Sequence, residues 1–203
     1  LPTWTHHAAM GCQAIIIGPA YTLTQWAARE FDPFTVQFLR VWGAALLFML
    51  LFTVTGQWKA VRAIPRTKWK TLAGVALVGI VINQFFFTLG LRYTTPANSS
   101  LIYSLTPMIV LLLAAGVFRT ERFTALKGVG VGIALAGVVL VFFSLGREFK
   151  MDHLLGNGIT FVALLCWATY MVVGREVFRG MSPVLSTGVV MMLGALWFTP
   201  IGL

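Results

Sequence analysis

The chain has 203 residues, of which 58% are hydrophobic and 10% charged, and its mean hydropathy is +0.85. Soluble domains carry about 25% charged residues, so a water-soluble domain is excluded. The net charge of +9 would by itself suit a nucleic-acid partner, but the placement of the charges, described below, excludes that class.

Seven stretches contain no Asp, Glu, Lys or Arg: residues 1–28, 41–58, 71–91, 93–118, 128–146, 153–174 and 180–203. A bilayer core about 30 Å thick takes roughly 20 apolar residues at 1.5 Å each, so each stretch reads as a membrane-spanning helix. The expectation is an all-α integral membrane protein, truncated to about seven transmembrane helices. The chain opens on Leu1 rather than Met, and the last run stops only where the chain stops, which predicts more sequence at both ends. No charged leader segment or small-residue cleavage site marks a signal peptide.

The first helix carries Gln13, Tyr21, Thr24 and Gln25 around Pro19. His6 and His7 read as a solvated flank. Cys12 and Cys166 both lie in apolar runs, which gives neither a disulfide framework nor a metal-ligand spacing. Asp32 and Pro33 can cap and open the second helix, which carries Gln37 and Arg40. The third holds the adjacent amides Asn83 and Gln84. The fourth is polar over its first half, with Asn98, Ser99, Ser100, Tyr103, Ser104 and Thr106 preceding Pro107. The fifth is rich in small residues. Gly128, Gly132 and Ala136 form one face, of the kind that lets backbones pack closely in lipid. The sixth offers Trp167, Thr169 and Tyr170, and Ser182-Pro183 opens the seventh as Asp32-Pro33 opens the second.

Short links make neighbouring helices antiparallel, so the loops alternate between two sides. One side holds Lys59, Arg62, Arg66, Lys68, Lys70, Arg119, Arg122, Lys127, Arg175 and Arg179. The other holds Arg29, Arg92, Arg147 and Lys150, with Arg40 just inside the second helix. The richer side, which includes the N-terminus, is the expected cytoplasmic side. The basic balance therefore reports topology and contact with lipid headgroups, not nucleic acid. All six acidic residues, Glu30, Asp32, Glu121, Glu148, Asp152 and Glu176, fall at helix ends or in loops. No carboxylate is placed mid-membrane to relay protons. Metal-protease, serine-hydrolase and phosphate-loop motifs are missing, so neither an enzyme nor a cofactor is expected.

Lipid penalises polar groups unless they face protein or water. The candidates for a substrate cavity are therefore Gln13, Tyr21, Arg40, Asn83, Gln84, Ser99, Tyr103, Trp167 and Tyr170, with Pro107, Gly128 and Gly132 as structural positions. A weak internal repeat, offset by 150 residues, pairs Pro33 with Pro183, Ala45 with Ala195, Leu46 with Leu196 and Phe48 with Phe198. A five-helix unit of this kind inverts its second copy in the membrane.

The segment Gly90-Leu91-Arg92-Tyr93-Thr94-Thr95-Pro96-Ala97-Asn98-Ser99-Ser100-Leu101, followed by Ser104-Leu105-Thr106-Pro107, Arg119-Thr120-Glu121-Arg122 and the glycines of the fifth helix, resembles the EamA family of the drug/metabolite transporter superfamily. Thr120 stands where that family's turn usually has Gly, and Pro96 where Ser is common. The resemblance implies ten helices in two inverted five-helix repeats, with residues 1–146 forming the first and residues 147–203 starting the second. It implies a central cavity and alternating-access export or exchange of small metabolites, amino acids or related amphipathic compounds, across a bacterial inner membrane. The competing expectation is a membrane scaffold or assembly protein, in which the polar groups pair between helices and leave no cavity.

Overall fold

The computed structural model describes residues 3–144 and 153–201; side chains at the start of the first helix and the end of the fifth fall outside the described set. The order of long helices is α1 (Thr3–Glu30), α2 (Pro33–Thr55), α3 (Arg66–Tyr93), α4 (Pro96–Val117), α5 (Ala125–Ser144), α6 (Leu154–Val177) and α7 (Pro183–Phe198). Among the described residues there is no strand. Four helices, α2, α3, α4 and α6, are long and apolar enough to cross a bilayer, while α7 and the Ala125–Gly137 part of α5 are shorter apolar helices. The link carrying residues 145–152, and with it the expected repeat boundary at 146, lies outside the described residues, as do the side chains of His6, His7 and Cys12.

The helix starts follow from local chemistry. Asp32 accepts a hydrogen bond from the Phe34 amide at 2.9 Å, Thr95 from Asn98 at 3.2 Å and Ser182 from Leu185 at 3.2 Å. Each cap is followed by a proline at the first helical position, where a missing N–H costs nothing. α2 therefore begins at Pro33 rather than at residue 41, since the cap, not Arg40, sets its start. α3 likewise takes Lys68 and Lys70 into its first turns. Gly56 ends α2 with φ at 69°, the left-handed conformation that lacks a steric penalty only for glycine. A short unpredicted helix, Trp58–Arg62, fills the link to α3.

Two helices are interrupted. In α3, residues Leu77–Ile82 form a π-helical turn immediately before Asn83. In α4, regular helix stops at Ser104 and restarts at Thr106. Pro107 cannot donate to the carbonyl of Tyr103 four residues back, and the Thr106 hydroxyl donates to that carbonyl instead. The structural role expected of Pro107 thus has a local mechanism.

α3 packs most extensively on α6, and α2 on α7. Where α3 crosses α6, a Cβ on Gly156 would lie 2.7 Å from the Thr94 amide nitrogen, so only glycine allows this approach. Val41, Ala45, Ala76, Ile80, Val190, Ala195 and Phe198 make one core cluster, and Phe52, Ile64, Leu72, Leu185 and Val189 another. α5 departs from the expected packing. A Cβ added at Gly132 would meet nothing, one at Gly128 would touch only the Phe123 ring of the preceding turn, and Ala136 is exposed. The face of α5 turned towards α4 carries Gly130, Val131 and Ala134, opposite Pro107, Met108 and Leu111. Two residues along a helix turn the side chain by about 200°. The row containing Gly128 and Gly132 points away from the groove between α4 and α5, and among the described residues neither glycine packs closely against another helix.

Candidate functional site

A cavity of about 390 Å³ opens between α1, α2, α3, α4 and α6, within the roughly 300–1,000 Å³ of small-ligand pockets. α1 contributes Ile17, Ala20, Tyr21 and Thr24, a stripe at helical spacing. α2 contributes Arg40, α3 contributes Asn83, Gln84 and Phe87, α4 contributes Tyr103, and α6 contributes Trp167.

Asn83 organises the wall. Its side-chain amide donates to the Tyr103 hydroxyl at 2.9 Å and to the Ala163 backbone carbonyl at 2.7 Å, tying α3 to α4 and α6 at once. With its lone pair engaged, the Tyr103 hydroxyl retains a proton to donate. Tyr21 meets Phe87 edge to face at 5.1 Å, and Phe87 meets Tyr103 likewise at 5.3 Å. This aromatic series lines one side with flat apolar surface and two hydroxyls. Arg40 donates to the Thr24 hydroxyl at 3.2 Å. Among the described residues no carboxylate comes within ion-pair distance of it; the ion pairs present are Lys127–Glu121, Arg175–Glu121 and Arg179–Glu176.

Of the residues expected to line a cavity, Tyr21, Arg40, Asn83, Gln84, Tyr103 and Trp167 converge on this one. Ser99 and Tyr170 do not. Ser99 is fully buried in helix contacts, and its hydroxyl has no hydrogen-bond partner. Tyr170 stacks on Trp167 at 5.1 Å but lies against Gly79, in the notch that glycine leaves beside the π turn, and faces a separate shallow groove. The Gln13 side chain lies outside the described residues. Thr24, noted as a polar residue of the first helix but not counted among the cavity candidates, also lines it, and Phe87 was not singled out. The signal for both was spacing: Thr24 lies one turn after Tyr21, and Phe87 one turn after Asn83 and Gln84.

Other intramembrane polar groups are absorbed by helix packing. The buried Gln37 donates to Thr88. Gln25 donates to the carbonyls of Leu91, at 3.3 Å, and Thr94, at 2.7 Å, fastening α1 to the end of α3. At the far end of the bundle, Glu121 in the α4–α5 turn accepts from Lys127 at 2.7 Å and from Arg175 of α6 at 2.5 Å. The Lys127 and Arg175 hydrogen bonds hold the Glu121 carboxyl below the usual carboxylate range.

A protein of Archaeoglobus fulgidus described as an uncharacterized transporter is 29% identical over 186 residues, 90% of this chain and 62% of the relative. The uncharacterized transporter YyaM of Bacillus subtilis is 27% identical, covering 90% of this chain and 59% of its own length. The uncharacterized inner membrane transporter YhbE of Escherichia coli is 23% identical, over 73% of this chain and 47% of its own. The chain thus spans about three fifths of the length of the first two. No solved structure matches it. The family match runs from residue 8 to residue 143 and takes in every α1–α4 residue of the cavity wall; by that match the chain belongs to the EamA-like transporter family.

Proposed function

We propose that the protein is a membrane transporter that moves small metabolites through the cavity between α1, α2, α3, α4 and α6. The observation that carries this reading is a roomy cavity in an apolar helix bundle whose largely apolar wall carries Tyr21, Thr24, Arg40, Asn83, Gln84 and Tyr103. Polar groups at such depth are costly unless they face protein or water, and Gln84, Arg40 and the Tyr103 hydroxyl are not all consumed by helix pairing. A scaffold with dry packing around Tyr103 fits poorly with a cavity on that residue.

The working cycle proposed is alternating access, with helices rocking about a site near the midplane. In this reading residues 1–146 form one five-helix repeat, residues 147–203 begin an inverted second, and the N-terminus is cytoplasmic. The family match over residues 8–143 and the ten-to-four bias of loop cations support that arrangement. A bacterial cytoplasmic membrane suits the Escherichia coli relative described as an inner membrane transporter. The cargo class is a small metabolite with polar and apolar parts, amino acids and related compounds included.

The test is flux in proteoliposomes of the full-length protein, wild type against the triple variant N83A/Q84A/Y103A, over a panel of amino acids, organic acids and amines. The expected result is loss of flux with the protein still inserted and monodisperse. Unchanged flux across the panel would remove the cavity from the mechanism.

A further inference from the structure

Among the described residues, Arg40 is the one charged side chain on the cavity wall. A guanidinium offers five N–H donors, and the side-chain partner it has is the neutral Thr24 hydroxyl at 3.2 Å. The carboxylates among the described residues are engaged or distant. Glu121 and Glu176 pair with cations beyond the opposite end of the bundle, Asp32 caps α2, and Glu30 is exposed at the end of α1. On its other side Arg40 borders an apolar groove between α1 and α2, lined by Leu23, Ala27, Val36 and Leu39, which offers no counter-charge either. A charge within a membrane helix that no described carboxylate compensates is costly and calls for a partner. Among the described residues nothing on the same wall suits a cation, because Asn83, Gln84, Tyr21 and Tyr103 are neutral and no described carboxylate lines the cavity.

We infer that the cargo carries a carboxylate, that this carboxylate is bound by Arg40, and that a flat apolar body rests on the Tyr21–Phe87–Tyr103 series. The planar guanidinium matches a carboxylate with two parallel hydrogen bonds, and the edge-to-face aromatics give the body apolar surface. Arg40 is thereby the specificity-determining residue, selecting carboxylate-bearing compounds over neutral molecules and cations. The inference names the cargo of the proposed transport site and rests on that reading for the movement, though not for the binding.

The experiment uses three size-matched probes, benzoate, benzamide and benzylamine. Each is measured by equilibrium binding and by flux with the full-length protein in phosphatidylcholine vesicles, for wild type, R40K and R40Q. Wild type is expected to favour benzoate over benzamide by at least about tenfold, the gain of a charge-assisted pair. R40Q brings that ratio close to one, and R40K retains part of it. Equal handling of benzoate and benzamide by wild type, an unchanged ratio in R40Q, or no binding of benzoate at all would each overturn the assignment. Selective benzoate binding without flux keeps the role of Arg40 and sinks the transport reading; flux without charge selection does the reverse. A final arm adds phosphatidylglycerol to the vesicles. Benzoate binding that survives is the expected result, whereas its loss would assign the guanidinium to a lipid headgroup and overturn the cargo.

Discussion

At the α4–α5 turn Glu121 sits between Lys127 and Arg175, whereas at the other end of the bundle Arg40 meets a hydroxyl and no described carboxylate. The first arrangement is complete and cheap. Its members lie in the aqueous flank, where exposed ion pairs contribute little because water screens them. The second is incomplete and lies in the apolar span, where every unpaired charge is costly. Among the described residues, charge pairing is therefore abundant where it matters least to stability and absent where it would matter most.

The contrast can be broken most forcefully at the helix crossing beneath the cavity. G156V places a branched side chain against the Tyr93–Thr94 backbone and is expected to lower unfolding stability by about 3 kcal/mol. Denaturation of the full-length protein in detergent measures it, and wild-type stability would show that the crossing tolerates bulk. A smaller effect is expected inside the cavity. N83A removes the two donors that join α3 to α4 and α6, at about 1 kcal/mol. A double-mutant cycle with Y103F should recover a coupling of the same sign, and additive effects would mean that the amide and hydroxyl act independently. Smaller again, Q25A unfastens α1 from the end of α3 at roughly 0.6 kcal/mol, the average for hydrogen bonds between membrane helices.

The smallest effect belongs to the paired end. Because Glu121 titrates lower in the folded protein than in the unfolded chain, its stabilisation is present at neutral pH. That contribution fades as the pH falls through the carboxylate range towards its lowered folded value. E121Q should abolish this part of the acid sensitivity while leaving the midpoint at neutral pH and moderate salt nearly unchanged. A large loss at neutral pH would show that the ion pairs act as a structural lock.

Much of the cavity was legible in sequence because lipid makes polar residues conspicuous. Asn83, Gln84, Tyr103, Tyr21 and Arg40 stand out against apolar runs for one reason, the cost of burying them. What was not legible depends on rotation about helix axes. Trp167 and Tyr170, three residues apart, read as one face, yet only Trp167 reaches the cavity, since Gly79 opposite makes room for the Tyr170 ring. Ser99 carries the same composition signal as Tyr103 but faces a helix contact. The spacing of Gly128, Gly132 and Ala136 marked one small-residue face of α5, but not which side of that helix would turn towards α4. The charge-free runs, in turn, marked the apolar spans but not the capped starts, which Asp32, Thr95 and Ser182 set instead.

The π turn at Leu77–Ile82 gives α3 one residue of slack in its hydrogen-bond ladder. Every side chain downstream is rotated relative to those upstream, by about 100° for each residue so accommodated. Closing that turn into ordinary helix at constant length would swing Asn83 and Gln84 by about 100° around the axis, whereas excising one residue from it would restore ordinary helix and leave them where they are. The turn thus works as an indexing notch, setting which way the amides of α3 point without touching them.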